Sequence, residues 1–160
     1  MSALLQEIAI SSVDVAPWVI VKAYDPASDS AVERPASSLS IGDLVWTRPE
    51  CGGEYNWFMV TQVSSQRSLG HRLMLQDGRT VEVGNRHRFY TDGNWIQAQL
   101  LRRGDILIGE RPGIVESVEP IDEIDTTQII VSGAHTFQAN GMLSHDTENT
   151  RQPTGRDVLV

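Results

Sequence analysis

One pattern is spelled twice in this chain. Residues Ala36-Ser37-Ser38-Leu39-Ser40-Ile41-Gly42-Asp43-Leu44-Val45 match Ala98-Gln99-Leu100-Leu101-Arg102-Arg103-Gly104-Asp105-Ile106-Leu107. The shared unit is Ala-x-x-Leu-x-x-Gly-Asp followed by two apolar residues, and the same offset lays Val19 and Val21 over Val81 and Val83. Each part has a physical role. Ala and Leu anchor a single helical turn (36–39 and 98–101) on a core. Gly permits a left-handed backbone step, and Asp bonds nearby backbone N–H groups in an Asx-type turn. Each copy therefore reads strand, loop, helical turn, Gly-Asp turn, strand. Two copies predict an all-β domain with pseudo-twofold symmetry.

The remaining sequence reads mainly as short strands. Trp18–Tyr24, Trp57–Val63 and Arg72–Leu75 are rich in β-branched, aromatic or aliphatic residues. Thr80–Val83 alternates apolar and polar residues, the period of a half-buried strand. Further strands are predicted over 105–109, 113–120, 128–132, 135–139 and 142–144. Gly52-Gly53, Asp77-Gly78, Asp92-Gly93 and Asn140-Gly141 supply the positive φ angles that tight hairpins need. Helix is scarce. Leu4, Leu5 and Ile8 offer one face of a short helix over 3–9. From Thr147 to about Asp157 the chain is polar and interrupted by Pro153 and Gly155. The apolar end, Val158-Leu159-Val160, suits either a frayed terminus or a strand added to a partner. The organisation predicted is an N-terminal arm (1–11), a domain (12–146) and a C-terminal tail (147–160).

Composition narrows the function. A net charge of −8 and a pI near 4.9 argue against a nucleic-acid binder. No apolar run approaches the roughly 18–20 residues of a membrane span, and Met1–Glu7 lacks the basic start of a signal peptide. The single cysteine, Cys51, forms no internal disulfide, in keeping with a cytoplasmic history. Four scattered histidines without ligand spacing give no metal site, and no cofactor or phosphate loop is expected. Gly-x-Ser-x-Gly is absent, which argues against a serine hydrolase. Trp18, Trp46, Trp57 and Trp95 are expected to pack in the core or on sheets. Arg86-His87-Arg88 and Arg102-Arg103 are expected to form solvated faces.

The segment 133–147 pairs two histidines, His135 and His145, across the Asn140-Gly141 turn and runs on into Asp146-Thr147. With the duplicated unit, it resembles the Hint (hedgehog/intein) family over roughly residues 12–147. The family's second conserved block corresponds to Gly84-Asn85-Arg86-His87 through Gly93-Asn94-Trp95, Ala98, Leu101 and Gly104-Asp105. The resemblance implies a horseshoe-like pseudo-twofold fold and a self-processing reaction. In that reaction a Cys or Ser at the domain's first position attacks the preceding carbonyl, and a block histidine polarises that amide. A penultimate His then helps a terminal Asn cyclise, releasing the chain beyond it. The matching positions here are His87, His135, His145, Asp146 and Thr147.

The departures from the family pattern are specific. The first position falls near Ser11, Ser12 or Val13, with no Cys. Gly84 stands where the family has Thr, and Asp146 where it has Asn. Cys51 belongs to a loop. These losses imply a domain that no longer splices and serves as a structural or assembly protein rather than an enzyme. A phage tail or baseplate in a virion is the kind of host the resemblance suggests. Its partners would be other proteins, held through 1–11 and 147–160. The alternative is an autoprocessing domain that cleaves its own backbone at Asp146–Thr147.

Overall fold

Eleven strands run through the described residues, 13–146, of the computed structural model. The predicted helix over 3–9, Ser11 and Ser12, Thr147 and the docking arms 1–11 and 147–160 lie outside that range. The strands are β1 (Ile20–Asp25), β2 (Ser30–Pro35), β3 (Leu44–Thr47), β4 (Asn56–Leu75), β5 (Thr80–Gly84) and β6 (Arg88–Thr91). They continue with β7 (Asn94–Gln97), β8 (Ile106–Leu107), β9 (Gly113–Val131), β10 (Thr136–Ala139) and β11 (Met142–His145). One sheet runs β2-β1-β3-β4-β9-β8 with β5 also on β4, and a second runs β10-β11-β6-β7. The all-β expectation holds.

The repeat folds as two matching structures. Ala36–Ser38 and Ala98–Leu100 are single 3₁₀ turns, each with its alanine fully buried. Asp43 Oδ2 accepts from Ser40 N at 2.8 Å, and Asp105 Oδ2 accepts from Arg102 N at 2.8 Å. Gly42 N donates to Val60 O and Gly104 N to Val115 O, both at 2.8 Å. Val60 and Val115 donate back to the carbonyls of Asp43 and Asp105. Val19, Val21, Val81 and Val83 are all wholly buried. The two copies thus grip β4 and β9 in the same manner, and those strands pair with each other from Val60↔Val131 to Leu75↔Val115.

Length is where the sequence misleads. β4 spans 20 residues and covers two predicted strands, and β9 spans 19 and covers two more. Their middles are polar at Ser64–Ser68 and mixed at Glu119–Asp125, where Ile121 and Ile124 stand three apart, so no apolar alternation marks them. There the backbone ladder, rather than a buried face, sustains the pairing. Three strands carry no strong signal. β2 is largely exposed. β6 and β7 form a hairpin of four-residue strands about Asp92-Gly93, where both φ angles are positive. Asn140-Gly141 turns β10 into β11 in the same way.

The core joins Val15, Val45, Leu73, Phe89, Ile96 and Phe137 with the paired valines. Full burial of each such side chain contributes roughly 1.5–3 kcal/mol. Of the tryptophans, Trp95 is buried, but Trp18 is 46 % exposed and is not a core residue. Trp46 and Trp57 meet edge to face at 5.1 Å on the outer face of the β1-β3-β4 region, beside Tyr24 and Tyr55.

Two glycines separate strain from crowding. Gly104 has φ of 94° and nothing within 4 Å of a would-be Cβ. At Gly109 a Cβ would sit 2.1 Å from the Gly141 carbonyl oxygen, at the hairpin β10–β11. Gly104→Ala is expected to cost about 1 kcal/mol from the left-handed backbone alone. Gly109→Ala is expected to cost several times more or prevent folding, as read from chemical denaturation midpoints.

Candidate functional site

Strand β11 is the central piece of the site. It lies between β10 and β6, with Thr136 opposite His145 and Phe89 opposite Ser144. This buries His145 almost completely. Its Nε2 lies 2.7 Å from Glu50 Oε1. The Trp95 ring meets its edge at 5.0 Å and 86°. Glu50 comes from the loop after β3. Its N–H donates to the Ala134 carbonyl, and its own carbonyl accepts from Trp95 Nε1 at 3.2 Å.

Asp146 follows directly and is also buried. Its Oδ2 accepts from the Val131 N–H at 2.8 Å, and its own N–H donates to the His135 carbonyl at 3.0 Å. His135 Nδ1 is 3.5 Å from Oδ2, and His145 Nδ1 is 3.9 Å from Oδ1. Oδ1 is buried with no hydrogen-bond partner among the described residues. Burial pushes this carboxyl above the usual carboxylate range, against the opposing pull of the Val131 N–H and the two histidines. His135 has φ of 58° and follows Gly133, also left-handed. That turn swings its side chain outward, half-exposed, over Asp146.

His87 lies deeper. It is fully buried, with its ring against Phe89 at 5.2 Å and Phe137 at 6.0 Å. Neither ring nitrogen has a hydrogen-bond partner among the described residues. Burial, with His145 nearby, lowers its pKa to about 3, so the ring is neutral at physiological pH. His87 and the neighbouring Arg88 are buried, so the expected solvated Arg86-His87-Arg88 face is wrong at both positions. The cause is strand β6, which begins at Arg88 directly after His87 and lies between β7 and β11.

Four of the five residues named from the sequence, His87, His135, His145 and Asp146, thus occupy one end of the fold, where Phe137 and β11 join them. Thr147 lies outside the described residues. Sequence reasoning missed Glu50 and Trp95 as partners of His145. Glu50 sits in Pro-Glu-Cys-Gly-Gly, which signals a turn and nothing more. It also missed Asp14, whose signal was present: a lone acid in an apolar run, Val13-Asp14-Val15-Ala16. Among the described residues no three His, Cys, Asp or Glu side chains converge as a metal-ligand set. Cys51 is exposed beside Glu50.

The segment that opens the described residues, beside Gly84, has a different character. Val13 is buried and carries no nucleophilic atom, and Gly84 donates its N–H to the Asp14 carbonyl at 2.9 Å. Asp14 Oδ2 accepts from Ser68 Oγ at 2.8 Å and Thr126 Oγ1 at 2.7 Å. Burial raises this carboxyl to about 6, partly offset by the two hydroxyls and a Gly84 N–H. A folded pKa above the unfolded value means the folded state holds the proton more tightly. Stability therefore falls as pH rises from about 4 through about 6. Asp14→Asn, which carries no charge, is expected to gain about 2–3 kcal/mol over the parent at pH 8. The gain should vanish below pH 4. Parallel stability curves for the two proteins from pH 4 to 8 would contradict this.

The sequence matches no family model and no curated protein. Solved structures that match the fold include inteins. The Ssp DnaB mini-intein variant M86 aligns with a TM-score of 0.73 at 18% identity, covering 86% of this chain and 96% of that one. A DnaB intein from Synechocystis sp. PCC 6803 aligns at 0.72 and 18%, covering 84% and 98%. The gp41-1 intein aligns at 0.67 and 24%, covering 82% and 97%. The chain therefore has the Hint fold of inteins, as its duplicated Gly-Asp unit and late histidines implied.

Proposed function

We propose that this Hint-fold domain has lost splicing and keeps self-processing chemistry only at its C-terminal junction, cleaving the Asp146–Thr147 bond. The observation that carries the reading is the Asp146 carboxyl. It is buried, held by the Val131 N–H through one oxygen, and without a hydrogen-bond partner at Oδ1 among the described residues, with His145 Nδ1 3.9 Å away. Burial keeps it protonated to higher pH than a surface aspartate. In the proposed step Oδ1 attacks the Asp146 carbonyl carbon. A C–O bond forms, the C–N bond to Thr147 breaks, and a five-membered cyclic anhydride results. The carboxyl proton passes through the His145 imidazole to the departing Thr147 nitrogen. Water then opens the anhydride and leaves Asp146 with two carboxyl groups. A carboxyl is a weaker nucleophile than the activated groups of fast enzymes, so the reaction is slow.

Loss of splicing has separate support. Splicing needs a nucleophile beside its base on the upstream side. Among the described residues Val13 has no such atom, Gly84 has no side chain, and His87 is a neutral ring packed against Phe89 and Phe137; Ser11 and Ser12 offer only hydroxyls in place of the family's thiol.

A second reading takes the same junction as structural. The bonds from Val131 N–H to Asp146 and from Asp146 N–H to His135 stitch the chain into the fold just after β11. On that reading the domain is an assembly module, for instance in a phage tail or baseplate, docked through 1–11 and 147–160. Intact mass during incubation at pH 5–9 separates the two. Cleavage predicts loss of the peptide 147–160, faster on the acid side because the rate falls as Asp146 ionises. Asp146→Ala abolishes it. A mass that stays at 17.7 kDa throughout favours the assembly module.

A further inference from the structure

We infer that Glu50 is a positioning residue for the C-terminal junction, setting the orientation and proton of His145; this rests on the cleavage reading above. The observation is the juxtaposition of a loop carboxylate with a buried imidazole whose other nitrogen faces Asp146. Glu50 is fixed at three atoms by three separate parts of the fold. Its N–H bonds to Ala134 before β10, its carbonyl accepts from Trp95 on β7, and its Oε1 lies 2.7 Å from His145 Nε2 on β11. A surface glutamate with a chance contact has no such backbone anchorage.

The chemistry follows from what a carboxylate can do. It accepts hydrogen bonds and does not donate them, so Nε2 of His145 carries a hydrogen. In the neutral ring the lone pair then belongs to Nδ1, the nitrogen 3.9 Å from Asp146 Oδ1. That is the nitrogen the cleavage step needs to take the Asp146 proton. When it does, the ring becomes a cation and the Glu50 charge stabilises it, as a buried carboxylate stabilises the histidine of a catalytic triad. Trp95, edge-on to the ring at 5.0 Å, blocks its rotation, so Trp95 and Glu50 fix the ring together. Exposure adds a further role. The His145 side chain is sealed, whereas that of Glu50 is 32% exposed, so the pair connects the buried imidazole to solvent.

The test compares Glu50→Gln and Glu50→Ala in the full chain, with two readouts. Glutamine keeps an acceptor for Nε2–H and the backbone anchors but removes the charge. Alanine removes both charge and acceptor. The first readout is the His145 ring by nitrogen and proton NMR, which needs no cleavage. The parent should show a slowly exchanging, hydrogen-bonded Nε2–H. It should persist in Glu50→Gln and be lost in Glu50→Ala. The second readout is the cleavage rate by intact mass. It should fall about tenfold in Glu50→Gln and roughly a hundredfold in Glu50→Ala, the scale of general acid–base effects. A His145 ring signal unchanged in Glu50→Ala overturns the inference, as do variants cleaving at the parental rate. If the parent itself does not cleave, the cleavage reading fails. The ring signal then decides alone whether Glu50 holds His145.

Discussion

The pairing of β4 with β9 is the constraint on which the rest of the molecule depends. Each long strand is gripped at one end by one copy of the Gly-Asp unit, through Val60 on β4 and Val115 on β9. The ladder between them joins the two copies into one sheet. It also places Val131, the last residue of β9, where its N–H meets the Asp146 carboxylate. Without that ladder the junction has no fixed floor. The turns that hold β4 and β9 are cheap locally, one glycine and one aspartate each, and gain their effect by acting twice.

Much of this architecture was legible in the residues. The repeat pointed to the two Gly-Asp turns, both 3₁₀ turns and the buried valines, because each depends on local chemistry. The Asp92-Gly93 and Asn140-Gly141 hairpins were readable from residues that tolerate positive φ. The true lengths of β4 and β9 were not, because Ser64–Ser68 and Glu119–Asp125 pair through backbone groups and cross-strand contacts such as Arg67 with Asp125, which leave no apolar alternation in the sequence. At the site, His87, His135, His145 and Asp146 were visible through family spacing. Glu50 was not, since only the folded chain brings it across 95 residues of sequence to His145. The burial of Arg88 was hidden for the same reason: a polar residue declares its exposure only through the strands packed around it.

Burial is the common physical lever at His87, Asp14 and Asp146, and it acts with opposite sign on acids and bases. It lowers His87 and raises Asp14 and Asp146, because a low-dielectric interior disfavours whichever form is charged. At His87 this leaves a neutral ring packed against Phe89 and Phe137. At Asp146 it leaves a carboxyl held above the usual carboxylate range, with the His145 ring 3.9 Å away. The same packing that makes the fold stable thus accounts for a junction that is unequal in its two halves.

The most direct test of that inequality places the whole chain between two distinguishable carrier proteins and follows the products by mass. The account predicts one break, after Asp146, that frees the downstream carrier and leaves the upstream carrier attached to the domain. Appearance of the two carriers joined to each other, or of a break on the upstream side, would contradict it.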